Sequence, residues 1–284
     1  MPELPEVETI VRQLTHCIVG QQIVHTTVNW PRTLATHTPQ AFAEHVQGRA
    51  IASVERRAKL IVVSLPPDWL IIHLRMTGRL LVGDPSTLAA NVEPHVQVVW
   101  RFASGAGLLF VDVRKFGRIY LTPRRETVLA GLGPEPLDGS LTPERWHTML
   151  QGRHRQIKPL LLDQRFLAGL GNIYVDEALW RARIHPSECS SAISRPEADA
   201  LLDSIRAVLG EAIAAGGTTL RDYRNALDGK GEHGPQLAVY GRTDQPCSRC
   251  GHLITRLVVG SRGTHICPVC QPEPNDREYS HAAR

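Results

Sequence analysis

Residues 60–74 read LIVVSLPPDWLIIHL, and they predict two β-strands joined by a tight turn. The runs 60–65 and 70–74 are apolar and rich in β-branched residues, and Pro66-Pro67-Asp68 between them is a turn signal. Runs of the same kind occur on both sides, at 23–28, 79–82, 96–102, 108–113 and 118–121. Short strands at this spacing predict a β-sandwich or barrel.

The segment before these strands has the spacing of a helix. Apolar residues recur three and four positions apart from Val7 to Ile18, which predicts a helix over 5–18 with one apolar face. Gly20 is placed to end this helix, since glycine is common just beyond a C-terminus. A second, short helix is predicted near 40–45.

The pattern changes after residue 130. Helices are predicted at 143–150, 157–166, 173–183 and 196–215, and the polar, aperiodic residues 218–238 predict a mobile loop. We therefore expect an α+β protein. Its expected parts are an N-terminal domain over 1–130, a linker over 131–139, a helical domain over 140–238, a cysteine module over 239–271 and a disordered tail over 272–284.

The strongest local motif is a pair of C-x2-C turns, Cys247-Ser-Arg-Cys250 and Cys267-Pro-Val-Cys270. Two such turns on a hairpin bring four thiolates to one point, which predicts a tetrahedral Zn²⁺ site. Four protein ligands leave no open position, so this zinc is expected to be structural. The hairpin between the turns carries Arg256 and Arg262, and rigid arginines suit contact with phosphate.

Composition excludes several classes of protein. The chain has 284 residues and a net charge of +4, with basic clusters at 56–79 and 240–271 that permit nucleic-acid binding but also fit a solvated face. No apolar run approaches the roughly 20 residues of a membrane span, and an acidic N-terminus argues against a signal peptide. We expect a cytoplasmic monomer in which Cys17 and Cys189 are reduced.

The N-terminus carries a possible nucleophile. If Met1 is removed, Pro2 becomes a terminal secondary amine, which titrates near pH 8 and can form an iminium ion with an aldehyde-level carbon. Glu3 beside it is a proton donor or acceptor. The alternative is that Pro2 merely begins the first helix, a position that proline favours.

Three further segments indicate contact with DNA. The loops 73–79 and 112–118 each combine basic residues, a glycine and one large apolar residue, which is Met76 in the first loop and Phe116 in the second. A protein that unstacks a base pair requires such an apolar wedge with a basic residue beside it. Core packing of both side chains is the alternative. Asn172 follows a Gly-Leu-Gly turn and is predicted to cap a helix whose N-terminus holds phosphate, although the turn also fits an ordinary connection.

Together these segments resemble bacterial formamidopyrimidine-DNA glycosylases. The resemblance rests on PELPEVET at 2–9, RRAKLIVV at 56–63, HLRMTGRL at 73–80, DVRKFGR at 112–118, GLGNIYVDEALWRARIHP at 169–186 and the zinc module, in that order. It implies an N-terminal β-sandwich domain, a helix-two-turns-helix domain and a zinc-bound β-hairpin.

The resemblance also implies roles for individual residues. Pro2 would attack C1′ of the damaged nucleotide, Glu3 would assist opening of the sugar ring, Lys59 would serve β-elimination and Arg262 δ-elimination. The space left by the extruded nucleotide would be filled by Met76, Arg114 and Phe116. The phosphate contacts would come from His95, Lys115, Asn172 and His154, the last a weaker cation than relatives usually place there.

The implied function is that of a base-excision repair enzyme acting on double-stranded DNA in the bacterial cytoplasm, at the nucleoid. It would remove 8-oxoguanine and formamidopyrimidines and cleave abasic sites. The loop 218–238 would face the damaged base, but its DGKGEHG segment at 228–234 departs from relatives, which makes the preference for 8-oxoguanine less secure.

Two alternatives remain open from the sequence. An endonuclease VIII-type glycosylase, which removes oxidised pyrimidines, has a similar fold but usually carries glycine at the position of Leu4 and lacks the Met–Arg–Phe set. A zinc-ribbon protein that binds distorted duplex without cutting it would not need Pro2, Glu3 or Lys59.

Overall fold

The computed structural model describes residues 1–92, 94–221 and 223–274. The chain divides into two compact units. The first unit comprises Met1–Gly131 and Glu211–Pro235, and the second comprises Leu132–Gly210 and Gln236–Arg284. Most of the predicted disordered tail, residues 275–284, lies outside the described residues.

The first unit contains two four-stranded antiparallel sheets, which confirms the predicted sandwich. The strands are β1 (Ile23–Val28), β2 (Ser53–Arg57), β3 (Leu60–Leu65), β4 (Asp68–His73), β5 (Gly78–Gly83), β6 (Val96–Phe102), β7 (Gly107–Asp112) and β8 (Arg118–Thr122). The strand orders of the two sheets are β1-β6-β7-β5 and β2-β3-β4-β8. Its helices are α1 (Leu4–Ile18), α2 (Pro39–Val46), α3 (Pro85–Val92) and α4 (Glu126–Leu129).

Helix α1 supplies one side of the core of this unit. Val7, Ile10 and Leu14 are fully buried in a cluster with the apolar side chains of the strands. Burial of each such side chain contributes about 1.5–3 kcal/mol. The helix ends at Ile18 because Val19 turns to an extended conformation and Gly20 follows with φ +83°.

Three elements of this unit were not predicted from the sequence: β2, α3 and the single-turn helix α4. Strand β2 reads SVERR, and its charged residues hide the alternation that marks a strand. Helix α3 follows Gly83-Asp84-Pro85, a segment typical of a turn. It forms because Asp84 Oδ1 accepts a hydrogen bond from the amide of Thr87 at 2.8 Å, which satisfies a free donor of the first helical turn.

The second unit is built from helices and one β-hairpin, as predicted. The elements are α5 (Pro143–Gln151), α6 (Ile157–Leu162), α7 (Asn172–Ala182), α8 (Arg195–Ala214), β9 (Thr255–Val259) and β10 (Arg262–Ile266). Helix α8 begins in this unit, and its residues from Glu211 belong to the first unit. Helix α6 is shorter than the predicted 157–166 because Asp163 is extended (ψ 107°) and begins a separate turn.

Among the described residues, no helix has both the length and the apolar character needed to cross a membrane.

Candidate active site and nucleic-acid contacts

The N-terminal residues Pro2 and Glu3 are buried at the start of α1. The amide of Glu3 donates to Glu6 Oε2 at 2.8 Å, and the Glu3 carboxylate accepts the amide of Glu6 in return, which forms a capping box. The Glu3 carboxylate therefore lies at the positive end of the helix dipole, one residue from Pro2.

Glu6 also connects α1 to the segment predicted to face the damaged base. Its Oε1 accepts the amide of Thr218 at 2.8 Å, and the Tyr223 hydroxyl donates to the Glu6 carbonyl at 3.4 Å. Burial and the charge of Glu6 raise the pKa of Tyr223, so the phenol remains a neutral donor. Further along, Ala226 donates its amide to Gln13 Oε1 at 2.9 Å. The segment is thus bonded to α1 at several points.

The DGKGEHG sequence at 228–234 begins in a closed turn. Asn225 Oδ1 accepts the amides of Leu227 and Gly229 at 3.1 and 2.8 Å, and the Asn225 amide donates to the Gly229 carbonyl at 2.9 Å. Asp228 adopts φ +62° within this turn. The turn leaves the Leu227 side chain 59% exposed, which makes it an apolar group available for contact.

Lys59 lies in the tight turn between β2 and β3 and is only 6% exposed. Ala58 before it has φ +55°, a left-handed conformation. Arg56 on β2 donates from Nε to Glu8 Oε2 on α1 at 2.7 Å, so an ion pair connects the strand before Lys59 to the helix that begins after Glu3.

His73 is a neighbour of Lys59. It begins the HLRMTGRL motif, but the sequence predicted no role for it. It pairs with Leu60 across β3 and β4. Burial, together with the charges of Arg75 and Lys59, lowers the pKa of His73 to about 3. Its Nδ1 accepts the amide of Arg75 at 3.0 Å, so the neutral ring carries its proton on Nε2. The surrounding cluster of arginine and lysine was the signal available in the sequence.

The two predicted wedge residues are on the surface. Met76 is 44% exposed and Phe116 is 49% exposed, so core packing, the alternative considered from sequence, is excluded for both. The Arg114 guanidinium lies over the Phe116 ring at 4.7 Å, and Lys115 Nζ lies over the Trp30 ring at 4.3 Å. Both are cation–π contacts that restrict the basic side chains without neutralising them.

The prediction that Asn172 caps α7 is wrong. Gly171, in an extended conformation, is the N-cap, and Asn172 is the first residue of the helix. The Asn172 side chain is used elsewhere, because its Nδ2 donates to the carbonyl of Gly263 at 2.9 Å. It therefore contacts the zinc hairpin one residue after Arg262.

A buried ion pair holds the same part of the hairpin, and sequence analysis missed it. Lys158 Nζ and Asp176 Oδ1 are 2.6 Å apart, and both side chains are fully buried. Lys158 also donates to Thr264 Oγ1 at 2.8 Å, and Asp176 accepts the amide of His265 at 2.9 Å. Residues of α6 and α7 thus fix the strand that begins at Arg262. In the sequence, Lys158 lies in the apolar run 157–162 and Asp176 lies in the predicted helix 173–183. A charge that is buried in such a segment requires a partner, and this was the available signal.

His154 is exposed, and one edge of its ring contacts other residues of the second unit. Its Nδ1 is 3.0 Å from Ser191 Oγ and 3.4 Å from Cys189 Sγ. Cys189 is buried and Cys17 is half-buried, and both are free thiols as expected.

The four cysteines of the predicted metal site come together. Their sulfur atoms all lie within 4.8 Å of one another. The Cys250–Cys267 and Cys247–Cys270 sulfurs are 3.4 and 3.9 Å apart. Four sulfurs at about 2.3 Å from one zinc ion would be about 3.8 Å apart in a tetrahedron, so the arrangement fits the metal. Burial and the neighbouring thiols raise the pKa of Cys270. Four thiolates this close together repel one another, so a cation between them is needed to keep all four deprotonated.

Comparison with known protein families agrees with this architecture. Residues 1–119 match the formamidopyrimidine-DNA glycosylase N-terminal domain, residues 132–224 match the formamidopyrimidine-DNA glycosylase H2TH domain, and residues 244–272 match the zinc finger found in FPG and IleRS. The fold class and the single structural zinc predicted from sequence are thereby confirmed.

Similar proteins cover nearly the whole chain. The formamidopyrimidine-DNA glycosylase of Protochlamydia amoebophila is 48% identical over 277 residues, which are 95% of this chain and 99% of that protein. The formamidopyrimidine-DNA glycosylase of Herpetosiphon aurantiacus is 45% identical over 275 residues, which are 95% of this chain and 100% of that protein.

Solved structures of related proteins are similar to this chain in fold. A Lactococcus lactis FPG mutant in complex with Fapy-dG containing DNA has a TM-score of 0.88 and 39% identity, and covers 96% of this chain and 100% of its own. MutM in complex with carbocyclic 8-oxo-G containing DNA has a TM-score of 0.88 and 37% identity at the same coverage. The chain belongs to the formamidopyrimidine-DNA glycosylase family, as its sequence motifs indicated.

Proposed function

We propose that this protein is a bifunctional DNA glycosylase and abasic-site lyase that excises 8-oxoguanine and formamidopyrimidines from double-stranded DNA. One observation carries the proposal: a chain that matches a curated member of this family over 95% of its length carries Pro2-Glu3 after Met1, with Glu3 held at the start of α1. The similar structures with lesion-containing DNA support the same class of substrate for this chain.

The chemistry begins when removal of Met1 leaves Pro2 with a free secondary amine. The amine nitrogen attacks C1′ of the damaged nucleotide and loses its proton, and the bond from C1′ to the base breaks, so the base leaves with the electron pair and takes up a proton. Glu3 donates a proton to the ring oxygen of the sugar, which opens the ring and leaves an iminium ion between Pro2 and C1′.

Strand cleavage follows from the same iminium. The ion acidifies the proton on C2′, and loss of that proton expels the phosphate on the 3′ side, with Lys59 assigned to this β-elimination. A second elimination, assigned to Arg262, expels the phosphate on the 5′ side. Water then hydrolyses the iminium, which frees Pro2 and releases the sugar remnant as an aldehyde. The product is a one-nucleotide gap with phosphate ends, and no metal takes part in bond breaking.

Each unit supplies residues for contact with DNA. In the first unit, Met76, Arg114 and Phe116 fill the space of the extruded nucleotide, since extrusion costs a few kcal/mol of stacking. Their exposure supports this role. The phosphate contacts are assigned to His95, Lys115, His154 and Asn172. The family domains support the proposed division into a catalytic domain, a helical domain and a zinc finger. A DNA substrate is the reason to propose that the protein acts in the bacterial cytoplasm, at the nucleoid.

Borohydride trapping tests the proposal directly. The protein is incubated with a duplex that carries 8-oxoguanine or an abasic site, borohydride is added, and the cross-linked peptide is mapped. We expect a covalent complex at Pro2, and we expect Pro2→Gly to bind the duplex normally but to excise the lesion much more slowly.

Two results would contradict the proposed function. One is normal binding without any covalent complex, which would indicate a non-catalytic binder. The other is retention of Met1 on every molecule of a fully active preparation. A parallel duplex with thymine glycol distinguishes the oxidised-pyrimidine class, because rapid excision of that base with slow excision of 8-oxoguanine would favour it.

A further inference from the structure

Asp112 is a fully buried acidic residue at the end of β7, and none of the catalytic steps above uses it. It lies opposite Gly78, the first residue of β5. The two loops that carry Met76 and Phe116 meet the sheet at this pair: one runs from Leu74 to Gly78, and the other from Asp112 to Gly117.

Both oxygens of the Asp112 carboxylate are bonded to these loops. Oδ1 accepts the Thr77 hydroxyl at 2.5 Å and the Arg114 amide at 3.2 Å. Oδ2 accepts the Gly117 amide at 2.7 Å. Thr77 Oγ1 accepts the Arg114 amide as well, at 3.2 Å. One carboxylate therefore connects Thr77, the residue after Met76, with Arg114 and Gly117, between which Phe116 lies.

The backbone of Asp112 extends the connection to a third segment. Its amide donates to the His95 carbonyl at 2.9 Å. The buried Gln97 side chain donates from Nε2 to the carbonyls of both His95 and Asp112, at 2.9 and 3.0 Å. Asp112 thus also holds the backbone of His95, another predicted phosphate contact.

Both loops need such an acceptor because their backbones lie outside the hydrogen-bonded pairing of β5 and β7. Arg75 and Lys115 have left-handed backbones, with φ +56° and +57°. A Cβ atom on Gly117 would lie 2.3 Å from Phe110 Cζ, and one on Gly78 would lie 2.3 Å from the Leu74 carbonyl oxygen. The tight path of both loops is therefore fixed by contacts at their ends, and the wedge side chains between those ends point outward.

We propose that Asp112 is a positioning residue for base extrusion, which sets the separation of Met76 and Phe116 and keeps Arg114 and Lys115 in register with them. The inference rests on the proposed function, because it assumes that these side chains enter the duplex. Asp112 touches neither the sugar nor the leaving base. Its loss should therefore impair the step that unstacks a base more than the elimination chemistry that follows.

Asp112→Asn is the direct test. Asparagine keeps one acceptor oxygen, and its NH₂ group must face either the Gly117 amide or the Thr77–Arg114 pair. In either orientation, donors that the carboxylate accepts now face an NH₂ group: the Gly117 amide in one case, the Thr77 hydroxyl and the Arg114 amide in the other. We expect single-turnover excision of 8-oxoguanine to fall by about ten- to a hundredfold, as misplacement of about 1 Å can cause. Cleavage of a preformed abasic site, which has no base to unstack, should fall by less than about threefold.

A second set of variants keeps the inference testable if Asp112→Asn does not fold. Thr77→Val removes only the hydroxyl link, and Thr77→Ser restores it. We expect Thr77→Val to slow excision and to delay the fluorescence rise of 2-aminopurine placed beside the lesion, and Thr77→Ser to resemble the wild type. Asp84→Asn is the matched control, because Asp84 also accepts a backbone amide but follows the far end of β5, about 20 Å along the strand.

The outcomes separate the inference from the proposed function. If the wild type excises 8-oxoguanine but Thr77→Val matches Thr77→Ser in excision and fluorescence, the positioning role is wrong while the enzyme assignment stands. Equal losses on 8-oxoguanine and on the abasic site in folded Asp112→Asn would also overturn it. If the wild type itself neither excises the lesion nor cleaves the abasic site, the proposed function fails.

Discussion

His73 shows how one residue reports the electrostatics around the predicted catalytic lysine. Its ring is held neutral because the site is buried and because Arg75 and Lys59 already supply positive charge. Arg75 also fixes the tautomer through its amide. A protonated ring here would add a third positive charge to those of Lys59 and Arg75. The neutral ring avoids this repulsion at the end of β4.

A pH dependence of stability follows from the depressed pKa of His73. The unfolded chain binds a proton at this residue near pH 6.5, whereas the folded protein does so only near pH 3. The contribution of neutral His73 is therefore complete above pH 6.5 and is lost as the pH falls toward 3. At pH 5 the loss should be about 1–2 kcal/mol relative to pH 7.

Urea unfolding of the wild type and His73→Asn at pH 7 and pH 5 measures this effect. Asparagine keeps an acceptor for the Arg75 amide but does not titrate. The free energy of unfolding should fall less for the variant than for the wild type between the two pH values. An identical fall in both proteins would show that His73 does not contribute.

At the scale of the element, the zinc hairpin depends on helices that lie far from it in sequence. Lys158 on α6 and Asp176 on α7 both bond to β10, and Asn172 bonds to the carbonyl of Gly263. Glu177, the next residue of α7, accepts the amides of residues 238, 239 and 240 at 2.8–2.9 Å. One helix therefore positions both the entry to the zinc module and the strand that begins at Arg262.

Breaking the Lys158–Asp176 pair on one side should destabilise this arrangement strongly. Lys158→Met leaves the Asp176 carboxylate buried without its cation, and we expect a loss of about 3–5 kcal/mol. The double variant Lys158→Met, Asp176→Asn should recover part of that loss because no unpaired charge remains. Chemical denaturation of both proteins measures the difference, and equal stability of the two variants would contradict this account.

At the scale of the whole molecule, the first unit and the cysteine module each have a hydrophobic cluster of their own. The main cluster of the first unit draws on its own helix, strands and the buried residues Tyr223 and Ala226. The cysteine module has a small cluster around Val239 and Ile254, in which two of the four buried members are zinc-ligand cysteines. A module with so few buried apolar residues relies on its metal for stability.

Loss of zinc should therefore affect the two units differently. Cys250→Ser should release the metal and abolish DNA binding, while the strands of the first unit keep their protection from hydrogen exchange. Metal analysis, a binding assay and exchange measurements on the same preparation check the three parts. Retained DNA affinity after complete loss of zinc would contradict the proposed role of the hairpin.

Binding to DNA should depend steeply on salt, because each phosphate contact releases a counterion. Replacement of one phosphate-binding lysine reduces the slope of log affinity against log salt by about 1. Lys115→Ala should show this change on lesion-containing and undamaged duplexes alike. Arg12→Ala, which removes an exposed arginine paired with Glu8, is the control and should leave the slope unchanged.

The sequence by itself determined the family, the α+β class, the helix α1, most strands and the zinc ligands, because each of these depends on local spacing or on a short motif. Strand β2 and helix α3 escaped it because charged residues hide a short strand, and because one capping aspartate converts an apparent turn into a helix start. The catalytic and DNA-contact roles remain predictions.

Only the tertiary structure decided which polar residues support those predicted sites. Glu6, Asp112 and Lys158 each bond to a partner that is from 35 to more than 200 residues away in the chain. Such contacts arise because a buried polar group must find a hydrogen-bond partner wherever the fold provides one. Local sequence shows the need for a partner but not its identity.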